Sequence, residues 1–367
     1  MYSEGRILDQ KILSVMERGV EQSLSDGEFN TLALDIFHHQ FKRNNPYQKY
    51  CRQIGKTPPS ITHWSNIPFV SVSAFKEASL SCFAAGKAKK VFWTSGTTQR
   101  QPGHHYLENL LLYEKSSWIN FLTHFQIKTA ALPVLILTPS AKEMPHSSLC
   151  HMFNLIHNKI GTEKNPFYMR GGKLLTQELI QRLKQLCRSK TPVLLLGTAF
   201  SFVYFLDEIS KREHSFVLPE GSKIMETGGY KGKSREIPKN DLYDWMQKIF
   251  HIPDSHIINE YGMTEMASQF YDNCLFPRKS KKRYKNTPPW VRTQILNPLT
   301  LKESKPGEIG LLQHYDLANR SSIIGLLTED LGIRIENGFE ILGRSPSAES
   351  RGCSITLQEW MRQNENS

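Results

Sequence analysis

The residues whose types and spacing can do chemistry gather in four short stretches of this 367-residue chain. They are Thr94-Ser95-Gly96-Thr97-Thr98, Gly197-Thr198-Ala199, Glu226-Thr227-Gly228-Gly229-Tyr230 and Asn259-Glu260-Tyr261-Gly262-Met263-Thr264-Glu265. The first sets four hydroxyls around one glycine. A turn of that composition points successive backbone amides and side-chain hydroxyls at a single anion, which is what holding a phosphate requires. It lacks the Gly-Lys-Ser/Thr ending of a P-loop, so a Walker-type ATPase is disfavoured. Taken alone, a Ser/Thr/Gly turn is more often only a turn. Tyr261, Glu265 and Asp330 likewise have plain readings as a core tyrosine, an exposed glutamate and a capping aspartate.

Each stretch follows a short apolar run. Runs at 90–93, 192–196, 223–225 and 256–258, with another at 132–138, predict buried strands. Between them lie helical patterns such as 175–187, where Leu179, Leu183 and Leu186 share a stripe. Alternation of this kind predicts an α/β core with a mostly parallel sheet flanked by helices, whose ligands sit beyond the carboxyl ends of the strands. Before residue 85 the pattern is helical and irregular in turn: Ile12, Val15, Met16 and Val20 recur on one face, Leu32, Leu34, Ile36, Phe37 and Phe41 less regularly, and a Pro-rich stretch at 58–68 breaks the period. This divides the chain into an N-terminal region (1–85), an α/β core (86–330) and a short C-terminal segment (331–367).

Composition narrows the class. With 39% hydrophobic and 22% charged residues the chain has material for a large core. Its N-terminus lacks the apolar stretch of a secretory signal, and no segment approaches the roughly 20 apolar residues of a membrane span; the expectation is a soluble, cytoplasmic protein without a transmembrane segment. Six scattered cysteines show neither a disulfide framework nor metal spacing. A net charge of +11 favours polyanionic partners without choosing among nucleotides, acidic proteins, lipid and nucleic acid. The basic run from Arg278 to Lys285 reads first as a solvated loop, with docking to an acidic partner or lipid as alternatives and no specific nucleic acid expected. Lys231, Lys233 and Arg235 are open to a phosphate role or a wet loop. His104, His105, His146 and His151 show no metal spacing, and His151 beside Cys150 reads as structural or as part of an acyl pocket.

Thr94-Ser95-Gly96-Thr97-Thr98 resembles the phosphate loop of adenylate-forming acyl and aryl ligases, and Tyr261-Gly262-Met263-Thr264-Glu265 resembles their second signature. Thr328-Glu329-Asp330 followed by Gly343-Arg344 is similar to the ribose-binding aspartate and downstream Gly-Arg of the same superfamily. The resemblance implies ATP and Mg²⁺ as cofactors. A carboxylate attacks the α-phosphate of ATP, and fixed donors and a metal relieve the repulsion between anions. By resemblance, Thr97, Thr98 and the loop amides hold the β- and γ-phosphates, Thr264 donates to the α-phosphate, Glu265 binds Mg²⁺, Asp330 takes the ribose hydroxyls, Tyr261 packs on the adenine, and Gly228 and Gly229 let the backbone approach the ring. One departure stands out: the usual Gly-x-Pro-Lys continuation is replaced by Gln99-Arg100-Gln101-Pro102-Gly103, leaving Arg100 as the stand-in for a missing cation.

Only 37 residues follow Asp330, fewer than the lid domain of typical members needs, so a truncated or absent C-terminal lid domain is expected. With Gly228-Gly229-Tyr230-Lys231-Gly232, Pro288-Pro289-Trp290-Val291-Arg292, Tyr315-Asp316-Leu317-Ala318-Asn319 and Arg351-Gly352-Cys353-Ser354, this shortening resembles the acyl-protein synthetase (LuxE-type) component of bacterial fatty-acid reductase systems, over residues 30 to 360. The resemblance implies a carboxylic acid substrate, a fatty acid, and transfer of the acyl group from AMP to Cys353 and onward to an acyl-accepting protein such as a reductase. A thiolate suits that step, and Arg351 or Arg344 would lower the thiol pKa if close. Two other readings stay open: an acyl- or aryl-CoA ligase, in which CoA replaces Cys353 as acceptor, and a non-catalytic basic binding protein that keeps the fold.

Overall fold

A computed structural model describes residues 4–94, 102–128, 131–212, 214–228, 237–275, 283–335 and 338–345. The described residues form two compact units, each assembled from separated stretches: 1–120, 263–270 and 284–367 in the first, 121–262 and 271–283 in the second. Mixed α/β architecture is present, as the alternation of periods implied, with most antiparallel pairs in the first unit and the parallel sheet in the second.

The first unit opens with helices Glu4–Glu17, Asp26–Arg43 and Asn45–Gln53. Local chemistry sets their ends. The Ser25 hydroxyl accepts the Glu28 amide at 3.2 Å while the Glu28 carboxylate accepts the Ser25 amide at 3.1 Å, a reciprocal cap that satisfies two otherwise orphaned donors. Asn44 closes one helix and caps the next through Tyr47 N–H, and Pro46 sits where a missing amide costs nothing. Ile12, Phe29, Ile36 and Phe37 are essentially fully buried, each contributing about 1.5–3 kcal/mol of transfer free energy. The Arg320 guanidinium is sunk beside them, held by Asp9 at 2.8 Å through two nitrogens and by Glu108 at 2.6 Å.

The sheet of this unit runs, strand beside strand, Val291–Leu296, Gly310–Asp316, Gly325–Ile335, Gly338–Arg344 and Lys285–Asn286, all antiparallel. Val70–Ser71 adds in parallel to Gly325–Ile335. Strand Lys90–Trp93 forms where expected, but outside any parallel sheet: it pairs antiparallel with His104–Leu107 in a two-stranded hairpin. The reason is connection length. Parallel neighbours need a crossover of a dozen or more residues, whereas here residues 94–103 alone separate the two strands, and Thr94 N–H to Gly103 O and Gly103 N–H to Thr94 Oγ1, both 2.9 Å, tie their ends together.

The second unit holds the parallel sheet, in the order Val134–Ile136, Leu194–Thr198, Lys223–Thr227, Ile257–Tyr261. The first three are buried nearly throughout, as strands covered on both faces must be. Helices Thr176–Arg188, Ala199–Ser210 and Lys239–Phe250 share one core with them, including Leu179, Leu183, Phe202, Phe205 and Phe250. Gly197-Thr198-Ala199 is spent on structure: Thr198 caps the helix that follows, and a Cβ on Gly197 would meet Phe202 at 2.8 Å.

Candidate active site

Residues 95–98 of the Thr-rich stretch, Gly229 and Cys353 lie outside the described residues. The remaining candidates divide between the units. In the first, the hairpin delivers Trp93 and Thr94. Gly103 lets it lie flat on the short helix Ala74–Glu77, because a Cβ there would come within 2.9 Å of the Phe75 carbonyl and 3.1 Å of the Lys76 amide. The turn after Met263 meets this hairpin: Thr264 Oγ1 donates to Trp93 O at 3.5 Å, and the buried His105 ring places Nδ1 2.7 Å from Thr264 O.

Glu265 follows, only 8% exposed. Burial pushes its carboxyl up to about 7; its own backbone amide, Lys76 and Arg344 pull the other way, while Glu329 adds to the rise. Those neighbours locate the rest of the site. Glu329 and Asp330 sit on strand Gly325–Ile335, and Arg344 ends the adjoining strand directly opposite Asp330, its Nε 3.8 Å from Asp330 Oδ1. The strand end at Trp93–Thr94, the turn at Thr264–Glu265 and the Asp330/Arg344 pair are therefore gathered in one unit, with Lys76 beside them. Lys76 was not legible in the sequence: a single lysine on a four-residue helix carries no signal.

No group of three or more His, Cys, Asp or Glu that could hold a metal occurs among the described residues. Glu265 nonetheless fits Mg²⁺, a hard cation commonly bound by one or two carboxylates plus substrate phosphates and water. Burial and Glu329 disfavour its charge, and a cation bound there would favour it.

In the second unit Lys223–Thr227 and Ile257–Tyr261 end side by side. Glu226 is buried and accepts from Asn259 Nδ2 at 2.7 Å and Tyr243 OH at 3.1 Å, while Thr227 donates to Glu260. Gly228 leaves the strand with φ +72°, a conformation side chains rarely adopt, and is exposed. Tyr261 is half-buried at the end of its strand and Gly262 is exposed.

One reading changes with the structure. The basic run is not a uniformly solvated loop: Arg283 bridges Ile257 O at 2.6 Å and Asp272 Oδ2 at 3.1 Å, and Lys285 is 2% exposed. Cys150 is buried near the start of helix Ser148–Ile160, its amide capped by Ser147, which gives it a structural place. Burial also pushes the Cys51 and Cys82 thiols up to about 12 and raises those of Cys150 and Cys187, so none of these four is a thiolate at neutral pH. Cys274 lies buried under Arg283.

Comparison with known proteins gives one consistent direction. A profile of the acyl-protein synthetase (LuxE) family matches residues 170–362, more than half of the chain. The long-chain-fatty-acid–luciferin-component ligase of Aliivibrio fischeri is 24% identical over 349 residues, covering 91% of this chain and 88% of that protein. The Vibrio harveyi protein of the same name is 19% identical over 347 residues, covering 89% and 86%. Among solved structures, 2-hydroxyisobutyryl-CoA ligase in its postadenylation state superposes with a TM-score of 0.65 at 13% identity, covering 89% of this chain and 69% of that one. The same ligase with its acyl-AMP and CoA gives 0.64 at 13% identity, covering 89% and 70%. The fold is that of adenylate-forming ligases.

Proposed function

The chain belongs to the acyl-protein synthetase (LuxE) family, a family of ligases, and from that membership we propose that it activates a long-chain fatty acid with ATP and carries the acyl group on Cys353 for delivery to a partner protein such as an acyl reductase. The observation that carries this reading is the gathering of Trp93–Thr94, Thr264, Glu265 and the Asp330/Arg344 pair in one unit, in the chain order in which the superfamily uses such residues.

In the first step a carboxylate oxygen of the fatty acid attacks the α-phosphorus of ATP, the bond from that phosphorus to the bridging oxygen breaks, and pyrophosphate leaves. Thr264 lies against the strand end that leads into the Thr-rich stretch; by the family resemblance its hydroxyl donates to the α-phosphate, and Thr97, Thr98 and the loop amides hold the β- and γ-phosphates. Asp330, fixed by its own amide donating to Thr328 Oγ1 at 3.1 Å, accepts the ribose hydroxyls, and Arg344 opposite it balances its charge. Mg²⁺ held by Glu265 would draw charge from the phosphate oxygens as the pentavalent centre forms.

In the second step the Cys353 thiolate attacks the acyl carbon, the bond from that carbon to the phosphate oxygen breaks, and AMP leaves; the thioester keeps most of the activation for a later acceptor. The raised thiols of Cys51, Cys82, Cys150 and Cys187 support a nucleophile elsewhere in the chain. Incubating the protein with ATP, Mg²⁺ and radiolabelled long-chain fatty acid tests both steps. Acid-dependent ATP–pyrophosphate exchange and label retained on the wild type but not on Cys353→Ser are expected. Label retained by Cys353→Ser, or free acyl-CoA accumulating when CoA is added, would refute the covalent step; absence of exchange with any acid would refute activation itself.

A further inference from the structure

The turn that carries Thr264 and Glu265 has little regular structure of its own. Between Met263 and Gln269 the backbone bond within it runs from Met266 N–H to Met263 O at 3.2 Å. Buried side chains of the same unit supply what is missing. His105 donates to Thr264 O at 2.7 Å, and Asn319 Nδ2 donates to Glu265 O at 2.9 Å while its second hydrogen reaches Ile323 O at 2.8 Å. Asp316 Oδ2 accepts the Ala267 amide at 3.0 Å, and Oδ1 accepts Ser268 Oγ at 2.8 Å together with the Ala318 amide at 3.0 Å. Ser268 is met in turn by Ser116 at 3.0 Å and by the Trp290 indole N–H at 3.1 Å. The His105 bond to Thr264 O braces hairpin and turn against each other.

His105, Asp316, Asn319, Ser116 and Trp290 are all 0% exposed. Such a set is a poor way to build a core. Each buried amide, imidazole or carboxylate gives up water for a single arrangement of partners, and apolar residues of equal volume would pack at lower cost. The His105 and Asn319 bonds go to the carbonyls of consecutive residues, the threonine and glutamate of the candidate site, and Asp316 holds Ala267 and Ser268 just beyond them. The sequence signal lies in Tyr315-Asp316-Leu317-Ala318-Asn319: the single 3-10 turn Leu317–Asn319 spaces Asp316 and Asn319 so that both reach one strand of backbone.

We propose that His105 and Asn319 are positioning residues for the reaction, fixing the Thr264–Glu265 main chain, with Asp316 anchoring Ala267 and Ser268 after it, so that the hydroxyl and the carboxylate point at one nucleotide and its metal. The inference rests on the reading that Glu265 binds the metal of a nucleotide complex, and it adds residues that touch neither. Side chains that orient a ligand from behind typically change metal affinity or activity by about 10–100-fold when removed.

The test compares Asn319→Leu and His105→Leu, which delete the donors at near-constant volume, with His105→Asn, whose amide places an N–H where Nδ1 was. Tyr47→Phe serves as the structural control: it removes a buried bond to Pro68 O in the same unit, away from the turn. Mn²⁺ binding to the full-length protein with a non-hydrolysable ATP analogue, followed by electron paramagnetic resonance, reads the site without turnover, and ATP–pyrophosphate exchange separates kcat from KM. Asn319→Leu and His105→Leu should weaken Mn²⁺ about tenfold or more and lower kcat with KM for the fatty acid unchanged. His105→Asn should recover most of both, and Tyr47→Phe should shift only the unfolding midpoint. Mn²⁺ affinity in the leucine variants equal to that of Tyr47→Phe, or His105→Asn no better than His105→Leu, overturns the proposal. A wild type that binds Mn²⁺ and the analogue but exchanges with no fatty acid would instead fault the assigned reaction and leave the positioning result readable.

Discussion

Replacing Glu265 by glutamine should make the ligand-free protein more stable, by an amount that depends on pH. Burial moves the folded-state carboxyl from its ordinary 4.5 to about 7, with Glu329 pushing in the same direction and the backbone amide, Lys76 and Arg344 opposing. A raised carboxyl favours folding while it is protonated, so its contribution is fully present below pH 4.5 and is lost as pH rises through about 7. At about 1.4 kcal/mol per unit, the full loss approaches ~3 kcal/mol above pH 7 as an upper figure. Glutamine keeps the shape and cannot ionise. Urea unfolding of wild type and Glu265→Gln without nucleotide, from pH 4.5 to 8.5, should give similar stabilities at the acid end and a gap opening to ~2–3 kcal/mol in favour of the variant at the alkaline end. The same variant should lose Mg²⁺-dependent ATP–pyrophosphate exchange, since the destabilising charge is the one the cation uses. A gap that stays constant with pH, or a variant less stable at pH 8, would show that Glu265 is solvated or already paired and would remove the argument for a cation there.

Other outcomes follow from single contacts. Asp9→Asn removes the bidentate carboxylate from the Arg320 guanidinium, 3% exposed, and leaves Glu108 as its counter-ion; it should cost about 1.5–3 kcal/mol in urea unfolding at neutral pH. Gly103→Ala forces a methyl to within 2.9 Å of the Phe75 carbonyl; the hairpin must lift from Lys76, lowering stability by about 1–3 kcal/mol and reducing exchange kcat more than the unfolding midpoint implies. In the native protein Cys51 and Cys82, with thiols near 12, should react with a disulfide reagent at pH 7.5 only as fast as the unit unfolds, and modification kinetics resolved by mass spectrometry check this.

Much of the candidate site could be proposed from the sequence because its signals are local. Glycine and threonine after an apolar run mark a strand end wherever they occur, and the order of three such motifs narrowed the chemistry further. The same residue types also serve plain structural ends, and spacing does not separate the two uses. Thr198 looks like Thr94 in sequence, yet one caps a helix while the other closes the hairpin that carries the Thr-rich stretch. Arg283 and Lys285 belong to a run that reads as a wet loop, and both are drawn inside.

The amino-acid order by itself determined the strand and helix periods and which residues were available for nucleotide chemistry, since each depends on neighbours a few positions apart. It did not determine that 90–93 turns back on itself, that His105 and Asn319 grip consecutive carbonyls over 150 residues and 50 residues away, or that Glu265 is dry. Those depend on which distant segments exclude water from one another, and a carboxylate's affinity for a proton or a cation is set by that exclusion rather than by its neighbours in the chain.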